Sequence, residues 1–213
     1  MPGPPGPGLP RLQAILDVDA AGAAGWAARD LLAAFLDGGA QCIQIRAKQL
    51  ASGPLLELCE LAVRDAAPYR AAIIVNDRAD LAALSGAGVH VGQDDLAPAA
   101  ARALVGANAI VGYSTHTLEQ VLAAVNEPVS YIAVGPVFGT RSKDTGYQAV
   151  GVDRVSDAAR VAGRIPIVAI GGITLETAPA VLAAGAASVA VIGDLLAGND
   201  PAGRVAAYRR ILD

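Results

Sequence analysis

Cysteine, histidine, aromatics and charge are all scarce in this chain, and each scarcity narrows what it can be. Only Cys42 and Cys59 are present, with no Cys-x-x-Cys spacing. One falls in an apolar strand-like run and the other in a helical stretch. Two buried free thiols are expected rather than a disulfide, which suits a reducing, cytoplasmic setting. Aromatics make up 4% of the residues, so the core must be built from Ala, Val, Ile, Leu and Gly, which let helices pack closely on a sheet. Charged residues are 17%, and the net charge of -4 gives no global attraction to nucleic acid or to a membrane surface. Any basic site must be local. No apolar run is long enough for a membrane helix. The N-terminal stretch lacks the basic and apolar regions of a secretion signal, and residues 1–10, MPGPPGPGLP, are expected to be a flexible leader.

What the 213 residues do contain is alternation. Apolar runs at 11–17, 40–46, 71–76, 88–92, 109–114, 131–136, 165–172 and 188–193 read as strands. Between them lie helical patterns such as GWAARDLLAAFLDGG and GPLLELCELAVRDAAP, several closed by glycine. Unbroken strand–helix alternation means a parallel sheet covered by helices. Eight such units predict a closed (β/α)8 barrel, the TIM-barrel architecture, as a single domain over 11–213. An open doubly wound sheet is the structural alternative.

Polar residues collect where these strands end. QIRAK places Gln44, Arg46 and Lys48 at alternate positions, hence on one face of a strand. Asn76 and Asp77 follow the third strand, Gln93, Asp94 and Asp95 the fourth, and Ser114 and Thr115 the fifth. Thr140, Ser142 and Lys143 lie in GPVFGTRSK after the sixth, while Gly171, Gly172 and Gly193 end the last two. All are C-terminal strand ends, the face on which barrel enzymes build their sites. Singly, each has a plainer explanation. Asn76 or Asp77 could cap the helix beginning in RADLAAL, Asp94 or Asp95 the one in LAPAAARAL, and Arg46 and Lys48 could simply emerge into water.

Together, acidic loops flanked by basic ones point to an anion bound through a metal. Asp77 and Asp95 offer hard oxygen ligands suited to Mg2+, which takes one or two carboxylates plus waters and substrate phosphates. Arg46, Lys48 and Lys143 would neutralise the remaining phosphate charge. The glycines after strands seven and eight would let backbone N–H groups approach a second phosphate. His90, in GVHVG, reads as a satisfied core residue, and His116, in STHT, as the start of a helix. Ser114 has no evident base, so an activated nucleophile is not expected.

QIRAK, VNDRADLA, GVHVGQDDL, VGYSTH, GPVFGTRSK and PIVAIGGI, in this order and spacing, resemble the thiamine phosphate synthase family from Arg11 to the last helix. The resemblance implies a (β/α)8 enzyme that joins a hydroxymethylpyrimidine diphosphate to a thiazole phosphate or its carboxylate, releasing pyrophosphate with the help of Mg2+. Carried over by motif, it assigns the diphosphate to Gln44, Arg46, Lys48, Asn76 and Lys143, the metal to Asp77 and Asp95, and the pyrimidine to Ser114. The thiazole phosphate falls to Thr140, Ser142, Gly172, Ile192 and Gly193. The chemistry implied is a dissociative displacement through a carbocation-like pyrimidine, which asks for charge stabilisation and alignment rather than a strong base.

Three positions depart from the family pattern. Ala47 stands where Glu is common, Ser142 replaces a usual Thr, and Gly193 replaces a usual Ser, which shifts thiazole phosphate binding toward backbone N–H groups. A proton-shuttling tautomerase on the same scaffold is the first rival, but GPVF lacks a histidine and that chemistry has no use for paired carboxylates. A phosphate-ligand sensor would have no reason to keep QIRAK, ND and QDD together. Phosphorylated small molecules are the expected partners, and the sequence leaves a homo-oligomer open.

Overall fold

The computed structural model describes residues 9–139 and 148–213; Thr140, Ser142 and Lys143 lie outside the described residues. Eight parallel strands close into a barrel in sequence order, with the last paired to the first. They are β1 (Leu12–Asp17), β2 (Cys42–Arg46), β3 (Ala72–Asn76) and β4 (Gly88–Val91), then β5 (Val111–Thr115), β6 (Tyr131–Val134), β7 (Ile167–Ile170) and β8 (Ser188–Val191). Outside them run α1 (Val18–Ala23), α2 (Ala28–Asp37), α3 (Ser52–Ala66), α4 (Ala79–Ser85) and α5 (Pro98–Val105). The ring continues with α6 (Leu118–Ala124), α7 (Gly151–Ala162), α8 (Ala178–Ala183) and α9 (Pro201–Leu212). The open-sheet alternative is thereby excluded.

Most strands are shorter than their apolar runs, and the seventh shows why. Residues 165–172 reduce to Ile167–Ile170 because Gly171 and Gly172 turn to φ values of 103° and 63°. That left-handed region breaks strand geometry and suits glycine.

Alternate side chains of a barrel strand face inward and outward. The outward set, including Leu16, Ile45, Val75 and Val89, packs beneath the helices together with Leu31 and Phe35. The inward set is smaller and includes Ile15, Cys42, Ile74, Tyr131 and Val168. Each core holds one cysteine, and both thiols are free and buried, as the sequence suggested. Burial pushes Cys42 up to about 12 and is the main reason Cys59 stands at about 11.

Tyr131 is fully buried inside the barrel, in register with Gly112 on the neighbouring strand. A Cβ at Gly112 would lie 2.1 Å from Tyr131 Cζ and 2.5 Å from His90 Nδ1. Glycine there makes room for a polar layer above the apolar filling, just where the barrel opens.

Candidate active site

A cavity of about 450 Å3 opens at the C-terminal ends of the strands. Its wall includes Gln44, Arg46, Asn76 and Ser114 from one set of strands, and Gly172, Ile192 and Gly193 from another. These expected residues are therefore brought together by the barrel. Lys48, Asp77 and Asp95 are not in its wall; Lys48 and Asp77 follow the wall residues Arg46 and Asn76 in the chain, and Asp95 meets Asp77 from the loop after β4.

The charged side begins on β1 and β2. Strand register sets Asp17 opposite Arg46, and alternation turns both inward. Asp17 Oδ2 accepts a hydrogen bond from Arg46 Nη1, with side-chain exposures of 4% and 12%. Lys48 Nζ approaches Asp77 Oδ2 at 3.5 Å, and both side chains are partly exposed. Asp77 itself takes a left-handed backbone (φ 65°), which Asp tolerates better than most residues, and its N–H donates to the His90 carbonyl at 2.8 Å.

Burial raises the Asp77 carboxyl above its ordinary range; the hydrogen bond and negative charge of Asp95 add to this, and Lys48 opposes it. Two carboxyl groups held this close are best accommodated by a shared proton or a shared cation. Two carboxylates, hard oxygen donors set against each other, are a donor set that fits Mg2+, which takes one or two carboxylates and completes its shell with water and phosphate.

The capping explanation for these acids fails. The position before α4 is Arg78 and the one before α5 is Ala97, and neither helix receives a side-chain cap. Asp95 Oδ2 instead accepts the Gly92 N–H at 2.7 Å, folding its own loop back on the strand end. The acids are thus not used up by the helices that follow them.

The other side is made of backbone. A Cβ on Gly172 would meet Gly139 O at 2.5 Å and Phe138 Cβ at 2.8 Å, so the two loops touch because the residue is glycine. Behind them, Asp194 accepts hydrogen bonds from Leu175 N at 3.0 Å, Arg204 Nη2 at 2.8 Å and Tyr208 OH at 2.6 Å. One carboxylate ties the loops after β7 and β8 to α9.

Both histidines stand where the sequence suggested, and both also line the cavity. His90 is hydrogen-bonded through both nitrogens, as a satisfied residue should be, but it forms part of the cavity wall. Its Nε2 lies 2.8 Å from Ser114 Oγ and its Nδ1 2.9 Å from the Tyr131 hydroxyl. Ser114 therefore has an imidazole partner that its neighbours in sequence do not reveal. His116 precedes α6, as expected, yet it too lines the cavity, and its Nδ1–H donates to the Gly135 carbonyl at 2.6 Å.

A family model described as thiamine monophosphate synthase matches residues 15–195. The chain belongs to that family. A thiamine-phosphate synthase from Koribacter versatilis is 43% identical over 211 residues, covering 96% of each chain. One from Anaeromyxobacter dehalogenans is 44% identical over 79% of this chain and 75% of its own. Among solved structures, a thiamine phosphate pyrophosphorylase from Pyrococcus furiosus superposes with a TM-score of 0.84 over 95% of both chains at 28% identity.

Within this thiamine monophosphate synthase fold, sequence reading missed Asp17, Tyr131 and Asp194. The signal for Asp17 is only that of a strand-ending acid; its level with Arg46 is set by the β1–β2 register, which RLQAILD does not contain. Asp194 follows VIG directly, with no residue nearby in sequence to announce its three donors. Tyr131 carried none, since an aromatic opening an apolar run reads as core.

Proposed function

We propose that this chain couples hydroxymethylpyrimidine diphosphate to thiazole phosphate, or its carboxylate, giving thiamine phosphate and pyrophosphate. The observation that carries the reading is one cavity with an arginine-bearing wall and, farther round the barrel, a glycine-turn wall. Such a cavity suits two phosphorylated molecules held face to face. Relatives matching nearly the whole chain bear the name of that activity.

Arg46, Lys48 and Lys143 are assigned to the leaving diphosphate, with Gln44 and Asn76 beside them. A guanidinium supplies a fixed planar fork and an ammonium a mobile charge, so together they can follow negative charge as it grows on the departing oxygens. Ser114, hydrogen-bonded to His90, is assigned to orient the pyrimidine ring. Gly172, Ile192 and Gly193 offer backbone to the thiazole phosphate, with Thr140 and Ser142 assigned to the same group.

Asp77 and Asp95 would hold Mg2+, which acts as a Lewis acid on phosphate oxygens when bound. The protein's own task is alignment: bringing the thiazole nitrogen and the pyrimidine methylene into contact while water is kept out. No described helix is long and apolar enough to cross a membrane, and we assign the enzyme to the cytoplasm.

The test is a coupling assay with both substrates and Mg2+, following thiamine phosphate and pyrophosphate together with an EDTA control. Equal, metal-dependent appearance of both products is the expected result. Binding of both substrates without product would overturn the reading.

A further inference from the structure

We propose that Asp17 is a positioning residue that sets the Arg46 guanidinium for the diphosphate, an inference that rests on the function proposed above. Arginine has many rotamers, and one left free to sample them meets the departing oxygens in the productive geometry only part of the time. Here the ordering is done in advance. Asp17 is almost fully buried at the end of β1, and both of its oxygens are engaged. Oδ1 accepts the Ala20 N–H at 2.9 Å, capping α1, which leaves Oδ2 aimed at Arg46 Nη1. The cap thus fixes the carboxylate, and the carboxylate fixes the arginine.

Arg46 has little else to hold it. Its Nε is buried and has no hydrogen-bond partner among the described residues, and no other ion pair of Arg46 occurs among them. The guanidinium is gripped at one corner, and its remaining η donors belong to a residue that lines the cavity. A carboxylate beside an anion site also has a cost: it repels the anion that Arg46 attracts. Asp17 trades ground-state affinity for geometry, which favours turnover and release of pyrophosphate over tight retention.

Two effects therefore separate on substitution. Asp17→Asn keeps an oxygen for the Ala20 N–H and nearly the same volume, but removes the charge that holds Arg46. Its kcat should fall by about tenfold or more without a rise in KM for the pyrimidine diphosphate. Inorganic pyrophosphate with Mg2+, titrated calorimetrically, should bind about threefold or more tightly to the variant. A merely structural role would lower the active fraction and leave that dissociation constant unchanged.

In an Arg46→Lys background the same Asp17→Asn change should have less than about a twofold further effect, because the two residues act as one unit. If Asp17→Asn does not fold, Asp17→Ser, which preserves a capping hydroxyl, is measured in its place. Unchanged kcat, unchanged or weaker pyrophosphate binding, or full additivity with Arg46→Lys would each overturn the inference. Absence of thiamine phosphate from the unaltered enzyme would instead sink the proposed function. The pyrophosphate titration reads Asp17 independently of it.

Discussion

The two sides of the barrel mouth offer an anion different things. Around the ends of β1 to β3 the offer is side-chain charge, in the contacting pairs Asp17–Arg46 and Lys48–Asp77. After β7 and β8 it is backbone, opened by Gly171 and Gly172 at positive φ. Charge carried on a side chain can be removed by one substitution that leaves the main chain alone. A backbone cradle has no side chain to remove and is broken by adding one. One side is expected to fail electrostatically and the other sterically.

The largest break lies on the charged side. Asp77→Ala should lower turnover about 100-fold or more at saturating Mg2+. Its melting temperature should stay within about 3 °C of the parent's, since the side chain is partly exposed. KM for thiazole phosphate should not move; kinetics with each substrate varied in turn decide this. If both substrates weaken equally, the two sides are not separate and the comparison collapses.

Gly172→Ala comes next and should show the reverse selectivity. The new methyl group would lie 2.5 Å from Gly139 O at a residue with φ 63°. KM for thiazole phosphate should rise about tenfold with little change for the pyrimidine diphosphate. Denaturant unfolding should report a loss of about 1–3 kcal/mol from backbone strain.

The smallest effect sharpens the comparison by serving as a control on the cores. Cys42 and Cys59, held up at about 12 and about 11, stay protonated at neutral pH. A thiol reagent at pH 8 should modify the folded protein at less than about a tenth of its rate with the unfolded chain. The sign for stability follows. A thiol raised by folding costs nothing below its unfolded value near 9, and stability is lost as pH climbs from there toward the folded values. The urea midpoint should therefore be lower at pH 10 than at pH 8.

Much of the fold was legible because its signals are local. Apolar runs, helix-closing glycines and regular alternation each span a few residues, and eight repeats leave few architectures open. Gln44 and Arg46 could be placed on one wall from strand parity alone. The trimmed ends of β7 were less legible, since AIGGI does not say where backbone φ changes sign. The partners of Ser114 and Arg46 were illegible for another reason. His90 meets Ser114 only because β4 lies next to β5, and Asp17 meets Arg46 only because register puts them level. A barrel creates such pairs by closing, and no window on the chain contains them. The capping alternative for Asn76 and Asp77 failed similarly: a cap depends on one backbone angle, and Asp77 turned the wrong way for it.

Asp194 joins a loop at the barrel mouth to Arg204 and Tyr208 on α9. A chain emerging from the ribosome can pair its first strands early, but it cannot secure that loop until α9 has been made. Until then Asp194 faces the cavity without its counter-charge. The last helix is thus a charge donor to the barrel mouth: through Arg204 it offsets Asp194, a carboxylate in the cavity wall that would otherwise repel an anion.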